Sequence, residues 1–184
     1  MSNLTDGVFK CAPRGRGEIL CTTEDSLYRV NTTNRTVNRI KSSLFCNCNS
    51  QNHDLSDFCL SGISDFMILP NRAILVAHSL ENCIRYIDTV EQTVSAHFGE
   101  CKLSSCNRKK CSNVGDFTKV RLDRPHSFAE GKNGVYYLSV MSAVLKVNEK
   151  KQYSVPFYID ESIPPLQYGR TEWIHVHLYV QWPL

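Results

Sequence analysis

Two polar stretches hold most of the residues in this chain that could do chemistry: CNCNSQNHDLSDFC at 46–59 and CKLSSCNRKKC at 101–111. Clustered thiols either ligate a metal or pair as disulfides. Cys46, Cys48, His53 and Cys59 are four ligands of kinds that zinc accepts within fourteen residues. The spacing argues against it, because a zinc finger uses two residues between its cysteines to aim both thiolates at one ion, whereas C-x-C in extended chain points them to opposite faces. Cys101, Cys106 and Cys111 are evenly spaced by five and have no histidine nearby. No metal or cofactor is therefore expected. Cys46, Cys48, Cys59, Cys101, Cys106 and Cys111 are disulfide candidates instead, with Cys46 and Cys48 reaching Cys59 and a more distant thiol, since neighbours in C-x-C do not readily pair. Arg108-Lys109-Lys110, between two of these cysteines, is the densest charge in the chain and a candidate patch for an acidic ligand.

Other chemistry is weakly signalled. Two histidines, His175 and His177, would share one face of a strand at i and i+2, but the remaining four are scattered. There is no nucleophile elbow, no H-E-x-x-H and no phosphate loop. Three Asn-x-Ser/Thr sequons, at Asn3, Asn31 and Asn34, are glycosylation candidates. Together with nine cysteines in 184 residues they point to an oxidising, extracellular setting. The odd number leaves at least one thiol free, paired to another chain, or separated from its partner. The first ten residues lack the apolar centre of a signal peptide, which leaves either a cytoplasmic chain or one whose true start is absent. No apolar run approaches the roughly 20 residues a membrane span needs. A net charge of +3, from 21 basic and 18 acidic residues, is too mild to imply a nucleic acid partner.

The elements that must carry these stretches repeat. NTTNRTV at 31–37 returns as DTVEQTV at 88–94. Around it, GEILCTT, SLYRVNTT and TVNRIKSS correspond to RAILVAHS, CIRYIDTV and TVSAHFG, and then to GVYYLSV, AVLKVNEK and QYSVPFY. A leading strand precedes each set: DGVFKCAP, ISDFMILP and RPHSFAEG. Each copy thus predicts four short strands, with Asn31, Asp88 and Asn148 starting the same hairpin turn by bonding their own backbone. Self-similarity at this period is the mark of a repeat architecture whose units bury their faces against one another. The expected fold is all-β, a β-propeller-type array of about three four-stranded antiparallel blades at 6–41, 63–99 and 124–157. Cys-rich crossovers would occupy 42–62 and 100–123, and an atypical tail 158–184.

At these residues the chain resembles the NHL-repeat and related six-bladed propellers. Asp123-Arg124-Pro125-His126-Ser127-Phe128 looks like the start of such a blade, Gly134-Val135-Tyr136-Tyr137-Leu138-Ser139 like its second strand, and Cys83-Ile84-Arg85-Tyr86-Ile87-Asp88 like its third. Phe98-Gly99 with Gly115-Asp116 resembles the glycine-bearing crossover. The sequence departs from the family at Ala77-His78-Ser79 and Leu138-Ser139-Val140, which lack the usual acidic residue, and in its lengthened crossovers. Three blades do not close a ring, so the resemblance implies part of a longer propeller or self-association that completes one.

The reading with most support is a non-catalytic binding module, a piece of an extracellular propeller that recognises a protein or glycan through its disulfide-braced loop face. A second is a metal-dependent hydrolase or lactonase, which the resemblance would build at a central channel from Glu18, Asp65, Asn71 and Asp88. A third is an intracellular NHL-like platform with reduced cysteines.

Overall fold

The structure is a computed structural model, which describes residues 7–8, 10–23, 26–42, 52–55, 62–101, 120, 122–141, 143–148 and 150–158. Its strands are short and antiparallel. The first sheet runs β1 (Lys10–Gly15), β2 (Glu18–Thr22), β3 (Ser26–Asn31) and β4 (Thr36–Ser42), each strand bonded to the next. The third sheet, β10 (Ser127–Glu130), β11 (Tyr136–Val140), β12 (Ala143–Val147) and β13 (Tyr153–Tyr158), is the same meander. Between them, β6 (Ile63–Ile68), β7 (Ile74–His78), β8 (Cys83–Asp88) and β9 (Thr93–Phe98) repeat it once more, and β5 (Asn52–Asp54) adds a fifth strand beyond β9. Three stacked meanders of this kind make the fold a β-propeller-type array.

The strand β5 is a departure from the sequence reading, which saw no strand pattern in CNCNSQNHDLSDFC. Its formation depends on a partner rather than on alternation: the open edge of β9 pairs with it, His53 opposite Val94. The next residue, Leu55, is 1% exposed in the core between the first two sheets, and its amide donates to the Gln92 carbonyl.

Alternation decides which face of each strand is buried, and β7 shows it best. Its sequence ILVAH is buried throughout because the middle sheet is covered on both sides. Ile74 and Val76 pack toward the first sheet with Leu20, Leu27, Phe66 and Ile87. Leu75 and Ala77 pack toward the third with Ile84, Phe98, Leu138, Leu145 and Val147.

The predicted hairpin chemistry is present in all three units. Asn31 Oδ1 accepts from the Thr33 and Asn34 amides, Asp88 Oδ1 from Val90 and Glu91, and Asn148 Oδ1 from Gln152. Each turn closes on a left-handed residue that is not glycine: Arg35 (φ 56°), Gln92 (φ 55°) and Lys151 (φ 58°). The outer strand then bulges at a matching position. Pairing steps past Ile40 in β4 and His97 in β9, and β13 slips where Val155 and Pro156 together face Leu145, the proline having no amide proton to lose.

His97, at that bulge, stacks on Tyr86 with ring centroids 6.0 Å apart. Burial, and then the positive charge of Lys151, pushes its imidazole down from 6.5 to about 4. The folded chain therefore favours neutral His97. Its contribution to stability is whole above pH 6.5, falls as the pH drops toward 4, and changes no further below that. In urea titrations, His97→Gln is expected to lose less stability than the parent between pH 6.5 and 4; equal losses would refute this account. A second prediction concerns the turns. Arg35→Gly relieves a left-handed side chain and should stabilise the protein by up to about 1 kcal/mol, whereas Arg35→Val should destabilise it.

Candidate functional site

Neighbouring sheets approach most closely along their first strands, β1, β6 and β10. There a single carboxylate ties all three units. Asp65 on β6 is 6% exposed. Its Oδ1 accepts from Lys10 Nζ of β1 at 2.6 Å and from the Phe66 amide at 2.7 Å, while its Oδ2 accepts from the Phe128 amide of β10 at 2.8 Å. Lys10 also donates to the Phe66 carbonyl and lies 5.5 Å from the centre of that ring. Two bulge residues add further ties. Arg14 reaches the Arg72 carbonyl and the Thr89 hydroxyl, and Ser64 donates to the Pro125 carbonyl.

The two ends of the stack differ in chemistry. At one end lie the β1–β2 and β6–β7 turns, where Arg14 sits among Arg72, Arg29 and Glu18. Burial lowers the Arg14 pKa; Glu18 opposes the shift and the two arginines reinforce it. At the other end, the β7–β8 turn meets the described flanks of both crossovers. Ser79 bonds the Gly62 carbonyl with its amide and hydroxyl. Gly62 has φ +79°, and a Cβ there would meet Leu80 within 3 Å, so the entry into β6 requires glycine. On the exit side, Glu100 N donates to the Val120 carbonyl, Arg124 N to Asn82 Oδ1, and Met141 N to the Asp123 carbonyl. The Cys83–Cys101 disulfide fastens the start of the second crossover to the start of β8.

Beneath this turn lies a polar cluster the sequence reading did not identify. His78, Glu81 and Arg85 are at most 2% exposed. Glu81 Oε2 accepts from Arg85 through Nη2 at 2.6 Å and Nε at 3.2 Å, and lies 2.9 Å from His78 Nδ1. Burial pushes the Glu81 carboxyl up, but His78 and Arg85 together outweigh it and hold the group below its usual range.

The sequence-derived candidates distribute as follows. Cys101 is paired, with Cys83. Cys46, Cys48, Cys59, Cys106, Cys111, Arg108, Lys109, Lys110 and Asn3 lie outside the described residues. Asn31 and Asn34 sit in the β3–β4 turn, and Asn34 Oδ1 accepts from both the amide and the hydroxyl of Thr36, its own sequon threonine. A second disulfide, Cys11–Cys21, crosses β1 and β2, where the two residues are directly opposed. Its signal was available in the sequence: both cysteines stand five residues from Arg16, the centre of a Gly-Arg-Gly turn, and a hairpin sets such positions face to face. Of the four residues that a channel metal would use, Asp65 has both oxygens engaged and Asp88 is held in its turn. Asn71 accepts from Ala73 N and donates to the Tyr86 hydroxyl, and Glu18 opens β2.

No family model matches the chain. Over 69 residues it is 41% identical to an uncharacterized protein of Schizosaccharomyces pombe, a match covering 38% of this chain and 19% of that protein. Among solved structures it is similar to a streptogramin B lyase (TM-score 0.54, 11% identity, 88% of this chain, 44% of that one). It is also similar to the extracellular domain of a hybrid two-component system from B. thetaiotaomicron (TM-score 0.53, 12% identity, 84% of this chain, 17% of that one). These likenesses support the propeller fold. The chain spans less than half the length of either structure and about a fifth of the yeast protein.

If Asp65 is the tie between units, removing it leaves the half-buried Phe128 amide without its acceptor. Asp65→Ala is expected to cost about 1–3 kcal/mol in chemical denaturation. Lys10→Met removes only a half-exposed ion pair and should cost less than about 1 kcal/mol. The reverse ranking would show that the lysine, not the carboxylate, holds the units together.

Proposed function

We propose that this chain is a non-catalytic binding module, part of an extracellular propeller of NHL-like type that recognises a protein or an acidic glycan through the face carrying its crossovers. The observation that carries this reading is the convergence of both crossover flanks on the β7–β8 turn. There a disulfide, the Ser79 amide and hydroxyl on the Gly62 carbonyl, and the Arg124 amide on Asn82 Oδ1 hold the roots of the long connections. Rooted loops on a rigid sheet scaffold are a common way to present a recognition surface, because the scaffold meets part of the ordering cost before the ligand arrives. Arg108, Lys109 and Lys110 belong to the second of these connections and supply the positive charge for an acidic partner.

The two disulfides among the described residues favour an oxidising compartment, and the fold is shared with the extracellular domain of a hybrid two-component system. Completion of the ring by further blades, from a longer chain or from a second copy, is part of the same reading.

Two experiments test this. Reversing Arg108, Lys109 and Lys110 together to glutamate should markedly reduce retention on an immobilised sulfated glycan without changing the melting temperature, while the same reversal at Arg14, Arg16 and Arg72 should matter less. Equal retention of the loop variant would overturn the glycan form of the proposal. In protein made through a secretory pathway, Asn34→Gln should remove one glycan's mass; nine free thiols and no glycan would place the chain in a reducing compartment instead.

A further inference from the structure

The one cluster of metal-ligating side chains among the described residues contains a cysteine whose thiolate is tied up in a disulfide. His78, Glu81 and Cys83 are all buried, and their ligand atoms lie within 4.8 Å of one another. Cys101 Sγ is bonded to Cys83 Sγ, so a fourth donor lies one bond beyond the three. We propose that the Cys83–Cys101 disulfide masks a zinc site, and that its reduction lets His78, Glu81, Cys83 and Cys101 bind one divalent zinc ion.

The ligand set suits the metal. Imidazole, carboxylate and thiolate are each donors that zinc binds, and in a tetrahedral site the ligand atoms stand about 3.3–3.8 Å apart. Three of the four donors already lie within 4.8 Å of one another and the fourth is bonded to one of them, so reaching that spacing needs rotamer adjustments and a small shift at Cys101, not a new fold. The carboxylate is already oriented. Arg85 occupies Glu81 Oε2, while Oε1 is buried with no hydrogen-bond partner among the described residues. A buried carboxylate oxygen left over in this way is costly, and a cation is the ligand that would satisfy it. The charges also balance. Two thiolates and the Glu81 carboxylate carry three negative charges, and zinc with the Arg85 guanidinium carries three positive ones. The closed site is therefore neutral, as burial demands. In the disulfide form, Glu81 is already balanced by Arg85, and a divalent ion would bring two uncompensated charges inside.

The step is a two-electron exchange. A dithiol reductant attacks the Cys101 sulfur, which is the more accessible of the pair because Cys101 is half-buried while Cys83 is fully buried. The reductant leaves as its own disulfide, and its two protons pass to the Cys83 and Cys101 thiols. Zinc then displaces both protons as it binds, so uptake is favoured by rising pH. In an oxidising compartment the turn is locked covalently; in a reducing one the same residues lock it through the metal.

The test uses the full chain with Cys46, Cys48, Cys59, Cys106 and Cys111 replaced by serine, so that other thiols do not compete, and cobalt(II) as a spectroscopic stand-in for zinc. With the disulfides intact, no thiolate-to-cobalt charge-transfer band should appear. After reduction by a phosphine, one equivalent of cobalt should give that band together with tetrahedral d–d absorption, and zinc should displace it. Glu81→Gln should weaken binding by about tenfold or more. Cys83→Ser with Cys101→Ser should abolish the band while Cys11→Ser with Cys21→Ser leaves it unchanged. A reduced chain that keeps its β-sheet circular dichroism yet shows no band would overturn the proposal, as would a band that survives loss of Cys83 and Cys101. Should reduction unfold the chain, zinc present during reduction is expected to restore the melting transition, and its failure to do so would count equally against the site.

Discussion

Asp65 sets the spacing of the whole stack. A propeller-type array has a backbone hydrogen-bond ladder within each sheet and none between sheets, so neighbouring units rest mainly on apolar packing, which is tolerant of sliding. One carboxylate that accepts from β1 and β10 while belonging to β6 removes that freedom. It fixes where the first strands stand along one another, and the two apolar clusters then fill the wedge behind them. Arg14 and Ser64 reinforce the register, and both can do so because a bulge re-aims their side chains out of the pleat.

Much of the architecture was legible because it is local. Asn31, Asp88 and Asn148 act on amides two to four residues away, so the turn could be read from a few adjacent residues in each copy. The alternation of each strand, and the unbroken apolar run of β7, likewise report burial directly. The left-handed residues Arg35, Gln92 and Lys151 were not legible, since nothing in their side chains asks for positive φ; they adopt it because the paired strands on either side impose it.

The interactions that define the candidate site are mostly long-range, and these the sequence concealed. Asp65 is one acidic residue in an apolar strand until Lys10 and Phe128 are seen beside it, some sixty residues away on either side. Glu81 and Arg85 read as polar residues of a turn and a strand start, yet they are among the most deeply buried side chains described. Cys83 looked like a strand residue apart from the cysteine-rich stretches. Its pairing with Cys101 follows from the open end of the β8–β9 hairpin, whose position depends on the bulge at His97. Cys11 and Cys21 were the exception, because symmetry about a Gly-Arg-Gly turn is visible without any fold.

The strand β5 precedes β6 in the chain but pairs with β9, the last strand of the same sheet. A meander can zip from one hairpin to the next, whereas β5 has nothing to join until all four of its successors are in place. Its pairing and the burial of Leu55 thus belong to the end of the folding reaction. Interactions that form so late are absent from the transition state, so they do little for the folding rate and act mainly as a brake on unfolding. The crossover, on this view, governs how long the middle blade lives rather than how quickly it forms.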